Sequence, residues 1–317
     1  MVEQWDVIMS MIGTVGEAAV VKDIPNYAIK NVALFKTGGS ELKGKWLAYY
    51  LRSSDAKGHM SGNMKGSSQQ FLSLKQLRGL PVPIVTPEKY MKRVVDILSA
   101  YDSLIENNQK QIKLLEEAAQ RLYKEWFVDL RFPGYESTPI VDGVPEGWHR
   151  GLLNELIHVN YGKDHKKVPD DGDIPVYGSG GLIRKCNKSL FAGEAVLIPR
   201  KGSLNHIMYV NEEFWTVDTM FYATMKKEYT ALFVYFFISG FDMYAMNIGA
   251  AVPSMTVKIL DAMDVIIPSG DLFKKFDDTV RVFFHEIAVL RKQNEQLGQA
   301  RDGLLPKLMS GETREEI

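Results

Sequence analysis

The chain has 317 residues, enough for two domains with substantial cores, and its 45% hydrophobic and 24% charged content is ordinary for a globular protein. The formal net charge of -1 neither favours nor excludes nucleic-acid binding, because such binding depends on local basic clusters. No apolar run reaches the ~20 residues that span a bilayer. The N-terminus does not resemble a signal peptide, and the single cysteine excludes an intramolecular disulfide, so a cytoplasmic location without membrane association is predicted.

The first half of the chain combines short β-prone segments with one long helix. Alternating apolar residues between turn-forming glycines predict strands, and an aromatic-rich segment predicts a short helix. The predicted elements are strands at 6–11, 18–21 and 27–35, a helix at 45–52, a Gly- and Ser-rich loop at 59–68, a proline-punctuated strand at 80–85 and a long helix from Glu88 to Phe127.

The second half follows the same plan after a Pro- and Gly-rich segment, 132–147, that predicts a linker. Its predicted elements are strands at 194–198, 207–210, 215–224 and 265–268, a turn at 200–205, a helix at 231–239, a loop at 247–254 and a long helix from Asp271 to Met309.

The two halves are related by an internal duplication. An offset of 183 residues, the difference between Lys75 and Lys258, also relates Leu114 to Leu297. The strands upstream match at 189, the difference between Trp5 and Glu194, as expected when loop lengths vary on a shared frame. Residues 148–190 have no counterpart in the first half, so we expect the first domain to lack its opening strands.

Both long helices carry apolar residues at alternating spacings of three and four, the pattern of a coiled-coil seam. Asn108 and Asn294 interrupt the seams, which costs stability but can fix the register of the two helices. A helix of about 40 residues is about 60 Å long, too long to bury in a compact domain of this size, so the two are predicted to pair as a spacer. The alternative is one ordinary core helix in each domain. The predicted seam residues are Ile105, Ile112, Leu115, Ala119, Leu122, Trp126, Ile287, Leu290, Leu297, Leu304 and Leu308.

Polar and basic residues gather in the predicted loops. Lys and Arg on loops can neutralise phosphates, and Asn, Gln, Ser and Arg can read base edges, so the set favours binding of a polyanion. For any single residue, a solvated surface is the alternative. The candidate DNA-binding residues are Lys163, His165, Lys166, Lys167, Tyr177, Ser179, Arg184, Arg200, Lys201, Ser203 and Asn205 in the second half, with Lys65, Ser67 and Gln69 in the first.

Catalytic and metal-binding motifs are missing from the sequence. It contains no GxxxxGK[ST] phosphate loop, no HExxH motif, no paired-cysteine zinc spacing and no Asn/Asp-Pro-Pro-aromatic motif of amino-methyltransferases. The glycine-rich turn Tyr177–Gly181 lacks the full GxGxxG pattern and its acidic partner. We therefore predict a chain without catalytic residues, bound metal or cofactor.

Four motifs resemble a known family. They are RLYKEWFVDLRFPG at 121–134 after the first long helix, LLPKLMSGE at 304–312 in the second, PEGW at 145–148 and IPVYGSGG at 174–181. Together with the duplication, they make nearly the whole chain similar to the specificity subunit of type I restriction–modification systems.

The resemblance implies an α/β (α+β) fold. It has two target recognition domains of mixed β-sheet and short helices, separated by an antiparallel pair of coiled-coil helices with pseudo-two-fold symmetry. Each domain would read one half of a split sequence in double-stranded DNA. The seam residues would also dock two modification subunits, which bind S-adenosylmethionine and methylate adenine, and restriction subunits would complete the complex.

The predicted long helices and the linker give the domain limits. We place the first recognition domain at 1–87, incomplete at its N-terminus, the first long helix at 88–131, the linker at 132–147, the second domain at 148–270, the second helix at 271–310 and a tail at 311–317. Three alternatives remain open: a self-dimer that reads a palindromic target with its second domain twice, a scaffold that has lost DNA binding, and an enzyme in its own right.

Overall fold

The computed structural model describes residues 1–12, 14–62, 71–83, 87–246 and 254–310. The chain forms two compact units, the first made of Met1–Ile112 with the chain from Ala288 onward and the second of Lys113–Ile287. Each long helix therefore contributes one part to each unit. The linear domain limits given above stay predictions.

The first unit contains a three-stranded antiparallel sheet, among its described residues, in the order β2-β1-β3. One face of β1 is buried, with Val7 and Met9 in a core that also holds Trp46 and Leu51 of the first helix. The elements are β1 (Val7–Ser10), β2 (Ala18–Val20), β3 (Val32–Phe35), α1 (Glu41–Arg52), α2 (Ser54–Ser61), α3 (Leu74–Arg78) and the long helix α4 (Glu88–Tyr123).

Three predictions for this unit need correction. The strand predicted at 27–35 is confined to β3, and the loop predicted at 59–68 begins as helix, because α2 is capped by Ser53 and buries Ala56 and Met60. The strand predicted at 80–85 is absent from its described part, 80–83. Prolines there cannot donate to a sheet ladder, and the Pro83 carbonyl instead accepts from Trp46 Nε1 at 3.1 Å.

The second unit contains a six-stranded mixed sheet, among its described residues, in the order β7-β12-β10-β11-β8-β9. β10 lies between two antiparallel neighbours, and β8 pairs with β11 in parallel. The elements are β4 (Ile140–Val141), β5 (Val144–Pro145), β6 (His149–Leu152), β7 (Ile157–Tyr161), β8 (Ile174–Gly178), β9 (Gly181–Cys186), β10 (Phe191–Pro199), β11 (Met208–Thr216), β12 (Met220–Met225), α5 (Ala231–Ser239), α6 (Val257–Asp261), β13 (Asp264–Ile267) and the long helix α7 (Gly270–Ser310).

Two predictions for the second unit also change. The strand predicted at 215–224 is broken at Val217–Thr219, because the chain leaves β10 and pairs with β8 at Trp215 and Thr216 before β12 begins. The predicted linker is structured: β4 and β5 form a hairpin, and Phe132 is buried against Trp148 with ring centroids 4.8 Å apart. The loop predicted at 247–254 lies outside the described residues except for Ser254.

The duplication is confirmed by the strand register. In the first unit Val7 pairs with Val20, and in the second Val196 pairs with Tyr209, which are the same positions shifted by the predicted offset. The order β2-β1-β3 is repeated as β11-β10-β12. A backbone hydrogen bond from Leu72 N to Met11 O in the first unit corresponds to one from Met255 N to Arg200 O in the second. Arg200 is therefore the counterpart of Met11.

The long helices pair in each unit, as predicted. In the first, Tyr90 Oη donates to Leu308 O at 2.9 Å, and Arg301 Nη1 donates to Asp102 Oδ1 at 2.5 Å. The interrupting Asn108 is 7% exposed and donates to Gln293. The pairs run in opposite chain directions, so the helices are antiparallel.

In the second unit, the end of α4 and the π-helical turn that continues it, Lys124–Val128, pack on α7 through aromatic rings. The Phe276 ring contacts Phe127 with centroids 4.9 Å apart, and Trp126 and Tyr123 also lie against it. The predicted seam residues are buried or half-buried in both units: Ala119, Trp126, Ile287, Leu290 and Leu308 are buried, and Ile105, Ile112, Leu115, Leu122, Leu297 and Leu304 are half-buried.

Candidate nucleic-acid interface

Three loops of the second unit converge, although they are separated in sequence. The turn between β11 and β12 holds them together through backbone hydrogen bonds: Val217 N donates to Tyr177 O at 3.0 Å, and Arg200 N donates to Thr219 O at 2.9 Å. Lys163 N likewise donates to Thr216 O at 2.9 Å. The surface formed by residues 161–167, 177–181 and 200–206 is called the loop cluster below.

The turn after β10 is built around a glycine. Gly202 has a φ of +84°, a left-handed conformation that favours glycine, and a Cβ there would lie 2.5 Å from Ser179 Oγ. Tyr244 Oη donates to Gly202 O at 2.8 Å and accepts from Leu204 N at 3.2 Å. The close approach and the tyrosine together fix the turn against the β8–β9 hairpin.

Arg200 and Lys201 present two cations on this turn. The Arg200 guanidinium lies over the Tyr161 ring, 5.6 Å from its centroid, and is half-buried, while Lys201 and the neighbouring Ser203 are exposed. Stacking on an aromatic ring orients a guanidinium, and Arg200 Nη1 also donates to Asp218 O at 3.5 Å, which leaves part of the guanidinium edge for a phosphate. Lys163 is exposed on the adjoining loop, so the cluster gathers three predicted cations of different sequence origin.

Other predicted residues organise the loops from within. Arg184 donates to His165 Nδ1 at 3.2 Å, to His165 O at 2.5 Å and to Val168 O at 2.8 Å, so its guanidinium clamps the loop that carries Lys166 and Lys167. Both lysines are exposed. Arg184 and His165 therefore position that loop, and a direct contact of either with DNA stays a prediction.

The Asn205 side chain is also engaged within the chain. Its Nδ2 donates to Asp242 Oδ1 at 3.1 Å, and its Oδ1 accepts from Met243 N at 2.8 Å. The hydrogen bond from Asn205, followed by those from the Tyr244 and Ala245 backbone, holds the pKa of the exposed Asp242 carboxyl below its ordinary value. Asn205 would have to exchange these bonds to read a base edge.

Tyr177 and Ser179 lie on the β8–β9 hairpin, which forms one part of the loop cluster. Tyr177 Oη donates to Glu212 Oε1 at 2.6 Å, which ties its hydroxyl to β11. The Ser179 carbonyl accepts from His206 Nδ1 at 3.0 Å. His206 and Tyr161 belong to the loop cluster and Tyr244 contacts it, but none of the three is among the predicted residues, because only the fold brings them together. Lys65, Ser67 and Gln69, the predicted residues of the first half, lie outside the described residues.

The close approach of Gly202 gives a testable expectation. Gly202→Ala should destabilise the second unit by about 1–3 kcal/mol, because it forces a left-handed alanine against Ser179. Gly180→Ala is the matched control, since nothing lies within 4 Å of a Cβ at Gly180 and its change should stay within about 0.5 kcal/mol. Thermal unfolding of the full chain measures both, and equal melting temperatures for the two variants would contradict this account of the turn.

The described residues hold no group of three or more His, Cys, Asp or Glu side chains placed to bind a metal ion. Over the same residues, every helix is too short or too polar to cross a membrane.

Comparison with known proteins identifies the family. The family model of the type I restriction modification DNA specificity domain matches residues 2–117 and 145–297, which is most of the chain and one match in each half. The specificity subunit of the type I restriction enzyme MjaIX from Methanocaldococcus jannaschii is 23% identical, and the alignment covers 98% of this chain and 78% of that protein. The MjaVIII specificity subunit of the same organism is 21% identical over 85% of this chain and 70% of its own length.

A solved structure shows the same fold. The S subunit of a type I restriction–modification system from M. genitalium superposes with a TM-score of 0.58 at 18% identity, covering 97% of this chain and 83% of that one. The predicted family resemblance is thus confirmed by the family match in both halves. This chain belongs to the family of type I restriction–modification DNA specificity proteins.

Proposed function

We propose that this chain is the DNA-recognition subunit of a type I restriction–modification complex and that the loop cluster of the second unit contacts the DNA. The observation that carries the proposal is the convergence of Lys163, Arg200 and Lys201, from two separate loops, on one exposed surface of a DNA specificity domain. Phosphate contacts by such cations supply affinity, while neighbouring polar groups such as Ser203 can read bases.

The two halves offer different surfaces to DNA at equivalent positions. The turn that carries Arg200 and Lys201 in the second half carries Met11 and Ile12 in the first, on the same strand framework. Two domains with different contact residues would read different half-sites, so the proposed target is split and asymmetric.

The same difference supports one rival. A chain whose cationic turn lies only in the second half could read DNA with that half alone. A self-dimer would then use the second unit twice and read a palindromic target. Native mass spectrometry of the complex distinguishes one specificity chain from two.

The long helices are proposed to fix the unread gap and to dock two modification subunits. Leu104, Leu114 and Val282 are large apolar side chains that the helix pair leaves exposed, which suits a protein partner. Methylation with S-adenosylmethionine would then belong to those partner subunits, restriction to further subunits, and this chain would contribute no catalytic residue.

Adenine methylome sequencing tests the proposal. Cells that carry this chain with its cognate modification subunit should methylate one split, asymmetric motif, and cells without the chain should not. A palindromic motif would favour the dimer. If no motif is methylated although the complex assembles, the chain acts as a scaffold and the proposal is wrong.

A further inference from the structure

The tip of the β8–β9 hairpin exposes two large apolar side chains in succession. Leu182 is 57% exposed and Ile183 is 53% exposed. In a regular strand, neighbouring side chains point to opposite faces. Here the register shifts between Val176 and Tyr177, so that Val176 pairs with Arg184 while Tyr177 pairs with Leu182. Ile183 is the extra residue of a β-bulge, which accounts for the exposure of both side chains.

The bulge gives the tip a defined shape. Ile183 Cδ1 lies 2.6 Å from the position that a Cβ on Gly178 would occupy, so the isoleucine lies across the backbone of β8 where only glycine leaves room. Bulges commonly re-aim side chains beside functional sites. β9 is also an edge strand of the sheet among the described residues, a place where exposed apolar side chains invite association.

The tip is continuous with the cationic turn of the loop cluster. A Cβ on Gly181 would lie 3.5 Å from His206 Cε1, and Gly202 packs against the Ser179 side chain. The hairpin tip that carries the two apolar side chains therefore adjoins the turn that carries Arg200 and Lys201. A surface that combines cations with adjoining apolar groups is complementary to a DNA groove, where phosphates border base edges that carry methyl groups.

We infer that Leu182 and Ile183 recognise the 5-methyl group of thymine in the half-site that the second unit reads. This inference rests on the proposed function and adds the chemical group that one part of the interface reads. Apolar side chains distinguish thymine by contact with its methyl group in the major groove.

The test compares thymine with uracil, which pairs identically but lacks the methyl group. The full chain in complex with its modification subunit binds duplexes that carry the methylated motif, with each thymine of the second half-site replaced in turn by uracil. At one or two positions uracil should weaken binding on the order of tenfold, the effect of one buried methyl group. The double variant Leu182→Ser, Ile183→Ser should bind the thymine duplex with a similar loss and should no longer distinguish thymine from uracil.

A matched control lies in the same unit. Ile140 and Val141 are consecutive on β4 and are 55% and 57% exposed, so Ile140→Ser, Val141→Ser removes equivalent apolar surface at residues outside the loop cluster. This variant should keep the thymine preference.

Each other outcome has a distinct meaning. If the Leu182, Ile183 variant keeps the full preference for thymine, or if no uracil position weakens binding, the inference is wrong while the proposed function stands. If the variant loses the modification subunit and the wild type ignores uracil, the tip docks a protein and the inference is also wrong. If the wild-type complex shows no sequence-specific binding, the proposed function is wrong, and the inference that rests on it is wrong as well.

Discussion

Replacing Phe276 with alanine is expected to lower the free energy of unfolding of the second unit by about 3–5 kcal/mol. Phe276 is fully buried on α7, and its ring contacts Phe127, Trp126 and Phe236. Removing the ring leaves a cavity walled by other rigid rings, which cannot collapse to fill it. The same ring joins α7 to the end of α4, so its loss weakens the helix pairing itself.

Two control variants separate helix pairing from general effects on α7. Val282→Ala changes an exposed residue of the same helix and should alter stability by no more than about 0.5 kcal/mol. Phe276→Leu keeps most of the volume and should cost less than the alanine variant. Denaturant unfolding followed by tryptophan fluorescence measures all three, because Trp126 lies beside the replaced ring. A loss below about 1.5 kcal/mol for Phe276→Ala would mean that the helices are held together elsewhere.

The long helices and the internal duplication are predictable from the sequence because each produces a regular pattern of residues. The seam spacing identified both long helices, and the constant offset identified the duplication. The seam spacing relates residues a few positions apart, and the duplication is a constant shift in residue number. Both can therefore be recognised without knowledge of the fold. The strand register then repeats between Val7–Val20 and Val196–Tyr209, which agrees with the predicted alignment.

The predictions that failed depend on long-range packing. The loop predicted at 59–68 overlaps the last residues of α2, where the burial of Met60 keeps the chain helical up to Ser61. The strand predicted at 215–224 is interrupted because its first residues, Trp215 and Thr216, pair with β8, about 40 residues earlier in the chain. The local sequence around Trp215 does not indicate that β8 is its partner strand.

The candidate site also depends on long-range packing. Sequence assigns Arg200, Lys201 and Arg184 alike to DNA binding, and all three assignments stay predictions. The structure places the Arg184 guanidinium on the His165–Val168 loop through several hydrogen bonds. Whether a basic side chain faces solvent or a carbonyl within the chain depends on strand pairing, and so does the bulge that exposes Ile183.

Replacing Arg200 and Lys201 together with alanine is expected to weaken DNA binding by the complex by about tenfold for each phosphate contact that is lost. Each lost contact should also reduce the slope of log affinity against log salt by about 0.9, since fewer counterions are released. The two residues share a turn that is held in place by the hydrogen bond from Tyr244 to Gly202. They can therefore contact the same segment of the DNA phosphate backbone.

The salt slope is the decisive measurement, because a change in fold alone would lower affinity without a defined change in slope. Arg150→Ala, Lys227→Ala is the matched control: it removes the same two charges from exposed positions of the second unit outside the loop cluster. If the two double variants lose affinity and slope equally, the effect comes from net charge. If Arg200→Ala, Lys201→Ala keeps the wild-type slope, the cationic turn does not touch phosphate, and the interface must be sought on another face of the second unit.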